Sequence, residues 1–131
     1  MRVERIGFGI PFLKRRRATA TVLESWKGQA NGIVTFRAAP TWICDISDAK
    51  KGEEAIVFIR RGELELAGRG RMPIFTREGR RLAAVWPDVW LPPGLITEAG
   101  PEPQYDFIRS IGVDALRDQV ATLVSEEAET R

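Results

Sequence analysis

Apolar residues recur at every second position from about residue 16 to 26. Ala18, Ala20, Val22 and Trp26 fall on one side, and Arg17, Thr19, Thr21 and Ser25 on the other. A period of two is the spacing of a strand with one buried face. Lys27-Gly28-Gln29-Ala30-Asn31-Gly32 then supplies turn residues, and Ile33-Val34-Thr35-Phe36-Arg37-Ala38 reads as a partner strand, so a hairpin is expected. After an Ala-Ala-Pro break and a short polar stretch at residues 45–52, Ile56-Val57-Phe58-Ile59 forms the apolar centre of a strand over residues 54–59. Arg61-Gly62 turns the chain into the alternating Glu63-Leu64-Glu65-Leu66-Ala67. Two further strands are expected near residues 72–76 and 81–86, joined by Glu78-Gly79. Residues 87–103 hold five prolines and two glycines, which bars them from a central ladder and makes them a structured loop or an edge wrap.

The period changes near the end of the chain. Val113, Leu116, Val120, Leu123 and Val124 repeat at helical spacing, with Ser110 or Gly112 as the cap, and the acidic tail at residues 125–131 is expected to fray. Strands followed by one closing helix predict a mainly β single domain over residues 1–131, a five-stranded barrel with a C-terminal helix.

Composition narrows the chemistry. The 131 residues are 44% hydrophobic and 29% charged, within ordinary globular usage. No window approaches the ~18 apolar residues that span a bilayer. The apolar run at residues 6–13 contains Pro11, is followed by Lys14-Arg15-Arg16-Arg17 and lacks a cleavage site, so it does not read as a signal peptide. A cytoplasmic location is expected, or an extracytoplasmic one if a removed signal peptide precedes Met1. Cys44 is the only cysteine, which excludes an internal disulfide, and there is no histidine. The commonest general base and the commonest zinc ligand are therefore missing. Charge is unevenly spread: residues 1–81 carry 17 Lys/Arg against 9 Asp/Glu, and residues 82–131 carry 3 against 9. Such opposed halves either compensate within the fold or offer a basic face to an acidic partner.

Several ordered pieces resemble the netrin-like domain of tissue inhibitors of metalloproteinases and their bacterial relatives. A strand ends in Val22-Leu23-Glu24-Ser25-Trp26-Lys27-Gly28, similar to that family's Trp-Lys-Gly turn. A second strand at residues 33–36, then Cys44, Lys50-Lys51-Gly52-Glu53 and Ala55-Ile56-Val57-Phe58-Ile59 follow in the family's order. Gly68-Arg69-Gly70-Arg71 with Pro73-Ile74 is similar to the stretch where family members place another cysteine and an Arg-Thr pair, although Gly68 or Gly70 stands where the cysteine is expected. The resemblance covers somewhat under half of the chain. It implies an OB-like Greek-key barrel acting by surface contact, and it is the ground for favouring an extracytoplasmic location. The inhibitors chelate zinc through an N-terminal cysteine, whereas Met1-Arg2-Val3 opens this sequence, so zinc-directed inhibition is not implied.

The sequence-level reading is a binding module rather than an enzyme, without cofactor or metal, that contacts another protein. The alternative is an OB-fold module for single-stranded nucleic acid, which would lay a basic groove beside aromatic platforms such as Phe36, Trp42 and Phe75. The candidate surface is Arg15, Arg16, Arg17, Lys27, Arg69, Arg71 and Trp90. Each has a plainer reading as well. Turn arginines are ordinarily solvated, Trp26 continues the inward phase of its strand, and Cys44 beside Trp42 reads as a small core residue. Asp45, Asp48, Glu53 and Glu54 do not have the spacing of a calcium loop. Trp86 and Trp90 sit among prolines, either as a rigid recognition surface or as a lid that wants burial.

Overall fold

The computed structural model describes residues 1–6, 17–29, 31–37, 50–60, 63–64, 71–87, 89, 91 and 93–131. These form a mainly β structure with one C-terminal helix, and the chain clusters into two compact units. The first comprises Met1–Glu24 and Ala30–Pro73, the second Ser25–Gln29 and Ile74–Arg131.

In the first unit, β1 (Arg2–Ile6), β2 (Arg17–Thr21) and β3 (Ile33–Arg37) form an antiparallel sheet in that order. The alternation expected of residues 16–26 shapes only β2. Ala18 and Ala20 are fully buried, and Ala18 pairs with the fully buried Phe36. Met1, Val34 and Val57 pack around these three side chains. The small Ala18 side chain leaves room for the large Phe36 ring across the pair, while Ala20 lies opposite Val34. Strand β1 carries three charges in five residues and gives little apolar signal, which is why the pattern does not reveal it. A register shift between Val3 and Arg5 marks a bulge in its pairing with β2.

The apolar run at residues 54–59 divides into β4 (Ala55–Val57) and β5 (Ile59–Arg60), with Phe58 between them and 37% exposed. Strand β5 pairs with β6 (Glu63–Leu64). The start of the chain is stitched to β4: Met1 N donates to the Ala55 carbonyl, Ala55 N donates to the Met1 carbonyl, and Arg2 pairs with Glu54 at 2.7 Å. Strand β7 (Arg71–Arg77) pairs through its first half with β4.

In the second unit, the latter half of β7, β8 (Arg80–Val85), β10 (Arg109–Gly112) and β9 (Glu98–Ala99) are hydrogen-bonded in that order. The expected Glu78-Gly79 turn joins β7 to β8, with φ of 52° and 75°. Positive φ at both central residues is the two-residue hairpin whose twist matches right-handed strands. Among the described residues of the proline-rich stretch, only β9 joins the ladder, and it lies at the edge of this sheet. Ser110 is not the helix cap. It belongs to β10, and α1 (Val113–Glu129) starts from Gly112 without a side-chain cap. Leu82, Ala83, Val85, Ile111, Val113 and Leu116 form the core of this unit. Helix α1 runs through the acidic stretch beyond Ser125, and Leu123 of its apolar stripe is 36% exposed.

The described strands do not join into a closed barrel. The second-unit sheet nevertheless coils. In a flat sheet strands lie about 4.8 Å apart, so β9 would be roughly 14 Å from β7. Arg77 on β7 nonetheless donates to the Ala99 carbonyl at 2.9 Å and the Gly100 carbonyl at 2.6 Å. Only a sheet whose opposite corners approach each other allows one side chain to bridge that span.

Glutamate holds the left-handed position at residue 78 against its intrinsic preference, which Asn relieves. Glu78→Asn is expected to stabilise the protein by roughly 1 kcal/mol, read as a higher urea midpoint with an unchanged slope.

Candidate functional site

Of the contact residues selected from the sequence, Arg17, Lys27 and Arg71 are among the described residues. Arg15, Arg16, Arg69 and Trp90 lie outside the described residues, as do Trp42, Cys44, Asp45 and Asp48. Arg17 is exposed on β2 and donates to the Thr35 carbonyl at 3.4 Å and hydroxyl at 3.5 Å. Lys27 lies in the second unit and pairs with Glu127 of α1 at 2.7 Å.

Arg71 must be removed from the contact surface. Its side chain is buried at the start of β7, 6% exposed, and its guanidinium pairs with Glu53. Glu53 in turn accepts from the Lys50 backbone N–H. Burying an ion pair this way offsets desolvation only when the remaining hydrogen-bonding capacity is met, so Arg71 is an internal cation. The same pairing accounts for Glu53, as the Arg2 pair does for Glu54. Two members of the acidic group at residues 45–54 are thus engaged by arginines. Among the described residues, no group of three or more potential metal-binding side chains converges.

Sequence reasoning missed two arrangements, both in the second unit. The first is an aromatic corner. Phe107 sits 5.8 Å from Trp86 in a tilted contact and 6.0 Å from Tyr105 edge-on. Trp86 and Tyr105 are half-buried, whereas Phe107 is 43% exposed. This geometry resolves the choice posed for Trp86 in part: one flank is covered, and the covering ring itself faces solvent. The only sequence signal was the alternation of Tyr105, Phe107 and Arg109 beyond the last proline.

The second is an arginine cluster around β9. Arg80 donates to both carboxylate oxygens of Glu98 at 3.0 Å, the bidentate geometry that suits a guanidinium. Arg77 spans the Ala99 and Gly100 carbonyls and lies 5.3 Å from the Phe75 ring centre. Arg109 donates to the Thr97 carbonyl at 3.4 Å. The hydrogen bond from Arg80 holds the Glu98 carboxyl below its ordinary value, helped by the charges of Arg80, Arg77 and Arg109 and opposed by desolvation. Lys27 does the same to Glu127 through its hydrogen bond and its charge. Arg77, Arg80, Glu98 and Ser110 share one face by cross-strand register. The spacing along the chain could not show this, because the residues are brought together by the coiling of the sheet.

Two expectations follow. Arg71→Ala leaves the Glu53 carboxylate buried without its partner and should cost about 3–5 kcal/mol, whereas Lys27→Ala breaks an exposed pair and should cost less than ~1 kcal/mol; chemical denaturation of both variants checks this. A lowered folded-state carboxyl means stability that is present above the ordinary carboxylate pKa and lost as pH falls through the folded value. NMR titration should therefore place Glu98 below its ordinary value, and Arg80→Met should return it upward.

Comparison of the chain with protein-family models, with curated proteins and with solved structures gives no match.

Proposed function

We propose that this chain is a non-catalytic binding module, built on an OB-like scaffold of the netrin-like type, that contacts another protein through the aromatic corner of its second unit. The observation that carries the reading is Phe107, a large ring 43% exposed yet held between Trp86 and Tyr105. Rings fixed by their neighbours lose little conformational freedom on binding, and aromatic anchors of this kind dominate many protein contacts. The chain also lacks histidine, which makes acid–base catalysis harder to assemble. The OB-like scaffold is supported by a mainly β chain with one closing helix, by the β1-β2-β3 meander and by the coiling of the second-unit sheet. The resemblance to netrin-like domains supports the same scaffold.

Single-stranded nucleic acid is the alternative partner, and the burial of two groups weighs against it. Phe36, a named stacking platform, is fully buried, and Arg71 is an internal cation.

The test compares the tagged wild-type protein with Phe107→Ser, a substitution at an exposed ring whose folding is verified by circular dichroism. Quantitative capture from cells that express the chain should enrich one protein by at least about tenfold on wild type, with loss of that enrichment on the variant. Equal capture by both proteins removes the aromatic corner from the account. Binding of a fluorescent single-stranded oligonucleotide that weakens steeply with salt moves the function to nucleic acid.

A further inference from the structure

Residues 97–100 are held at every position by side chains that belong to other segments. The Thr97 carbonyl accepts from Arg109, the Glu98 carboxylate from Arg80, and the Gly100 carbonyl from Arg77. The Ala99 carbonyl accepts twice, from Arg77 at 2.9 Å and from the Ser110 hydroxyl at 2.6 Å. The backbone contribution is small by comparison: β9 pairs with β10 over two residues only, Ala99 with Arg109 and Glu98 with Ser110. Such a short edge ladder is marginal alone and falls at the low end of local stability. Gly100 allows the close fit, because a Cβ there would collide with the Ile108 carbonyl.

The donors do not depend on β9 for their own positions. Arg77, Arg80, Arg109 and Ser110 stand on β7, β8 and β10, which pair with one another independently of it. If residues 97–100 leave, an open β10 edge remains beside three guanidiniums and a hydroxyl. An open edge takes an extended chain through main-chain hydrogen bonds, while side chains beside it select the sequence. Arg80 would select a carboxylate at the place now taken by Glu98, since its fork matches two oxygens.

We propose that residues 97–100 are an exchangeable strap, occupying in cis a site that receives an extended acidic segment of a protein partner. This rests on the protein-contact reading above and names the chemistry of the partner. The strap acts as a competitor: its Glu98 must yield Arg80 before an outside carboxylate takes it.

The experiment uses the full chain and a fluorescent peptide with the sequence of residues 95–101. Glu98→Gln weakens the competitor without changing its size, so this variant should bind the peptide at least about tenfold more tightly than wild type. A peptide with Gln in place of its Glu should bind at least about tenfold more weakly. Hydrogen exchange on the wild-type protein supplies a measurement that does not depend on any variant folding. Excess peptide should accelerate exchange at residues 97–100 while β8 stays protected. Equal binding of the two peptides, or no binding with the strap still protected, overturns the proposal. A Phe107-dependent partner found alongside a peptide that does not bind removes the strap and leaves the protein-contact reading standing; peptide binding with no such partner does the reverse.

Discussion

One arginine ties together parts of the second unit that are not neighbours in its sheet. Arg77 of β7 donates to two successive carbonyls, Ala99 in β9 and Gly100 just after it, although β8 and β10 separate the two strands in the ladder, and it can do so only because the sheet coils. Backbone ladders join neighbours, whereas this guanidinium joins elements that are not neighbours in the sheet. Its planar set of donors satisfies two acceptors at once, which a lysine ammonium would do with less geometric definition. The face that results gathers Arg80, Glu98 and Ser110, and the aromatic corner lies on the flanking segments: Trp86 follows β8, and Phe107 precedes β10.

The first unit is organised by volume rather than charge. Ala18, Ala20 and Phe36 exclude water completely, and the start of the chain joins β4 through two backbone hydrogen bonds and the Arg2–Glu54 pair. Arg71 and Glu53 add a buried pair at the beginning of β7. Both pairs join charges within residues 1–81 and leave the surplus of that half unchanged, whereas Lys27–Glu127 and Arg80–Glu98 set its cations against carboxylates of residues 82–131.

How much was legible from the sequence depends on the range of the forces involved. The β2–β3 hairpin, the β7–β8 hairpin with its Glu78-Gly79 turn, the edge position of the proline-rich stretch and the helix all follow from local period and turn chemistry. Strand β1 escaped because Arg2, Glu4 and Arg5 mask its alternation, and its pairing comes from β2, remote in sequence. Strand β10 escaped because Ser110 and Gly112 resemble a helix start, while the pairing with β8 that makes the segment a strand is long-range. The candidate site followed the same division. Runs of arginine were visible, but which arginine is buried and which cluster together was not. Arg71 and Arg77 lie on the same strand, and the folded chain places Glu53 opposite one and two carbonyls opposite the other.

The coiling of the second-unit sheet carries both the arginine cluster and the strap, so it is the claim to measure most directly. Side-chain NMR of uniformly labelled protein reports it through Overhauser contacts between the Arg77 guanidinium protons and the Ala99 and Gly100 backbone. Those contacts are expected, together with restricted motion of the Arg77 Nε. A freely moving Arg77 Nε without contacts to residues 99–100 would mean a flatter sheet and would contradict the claim.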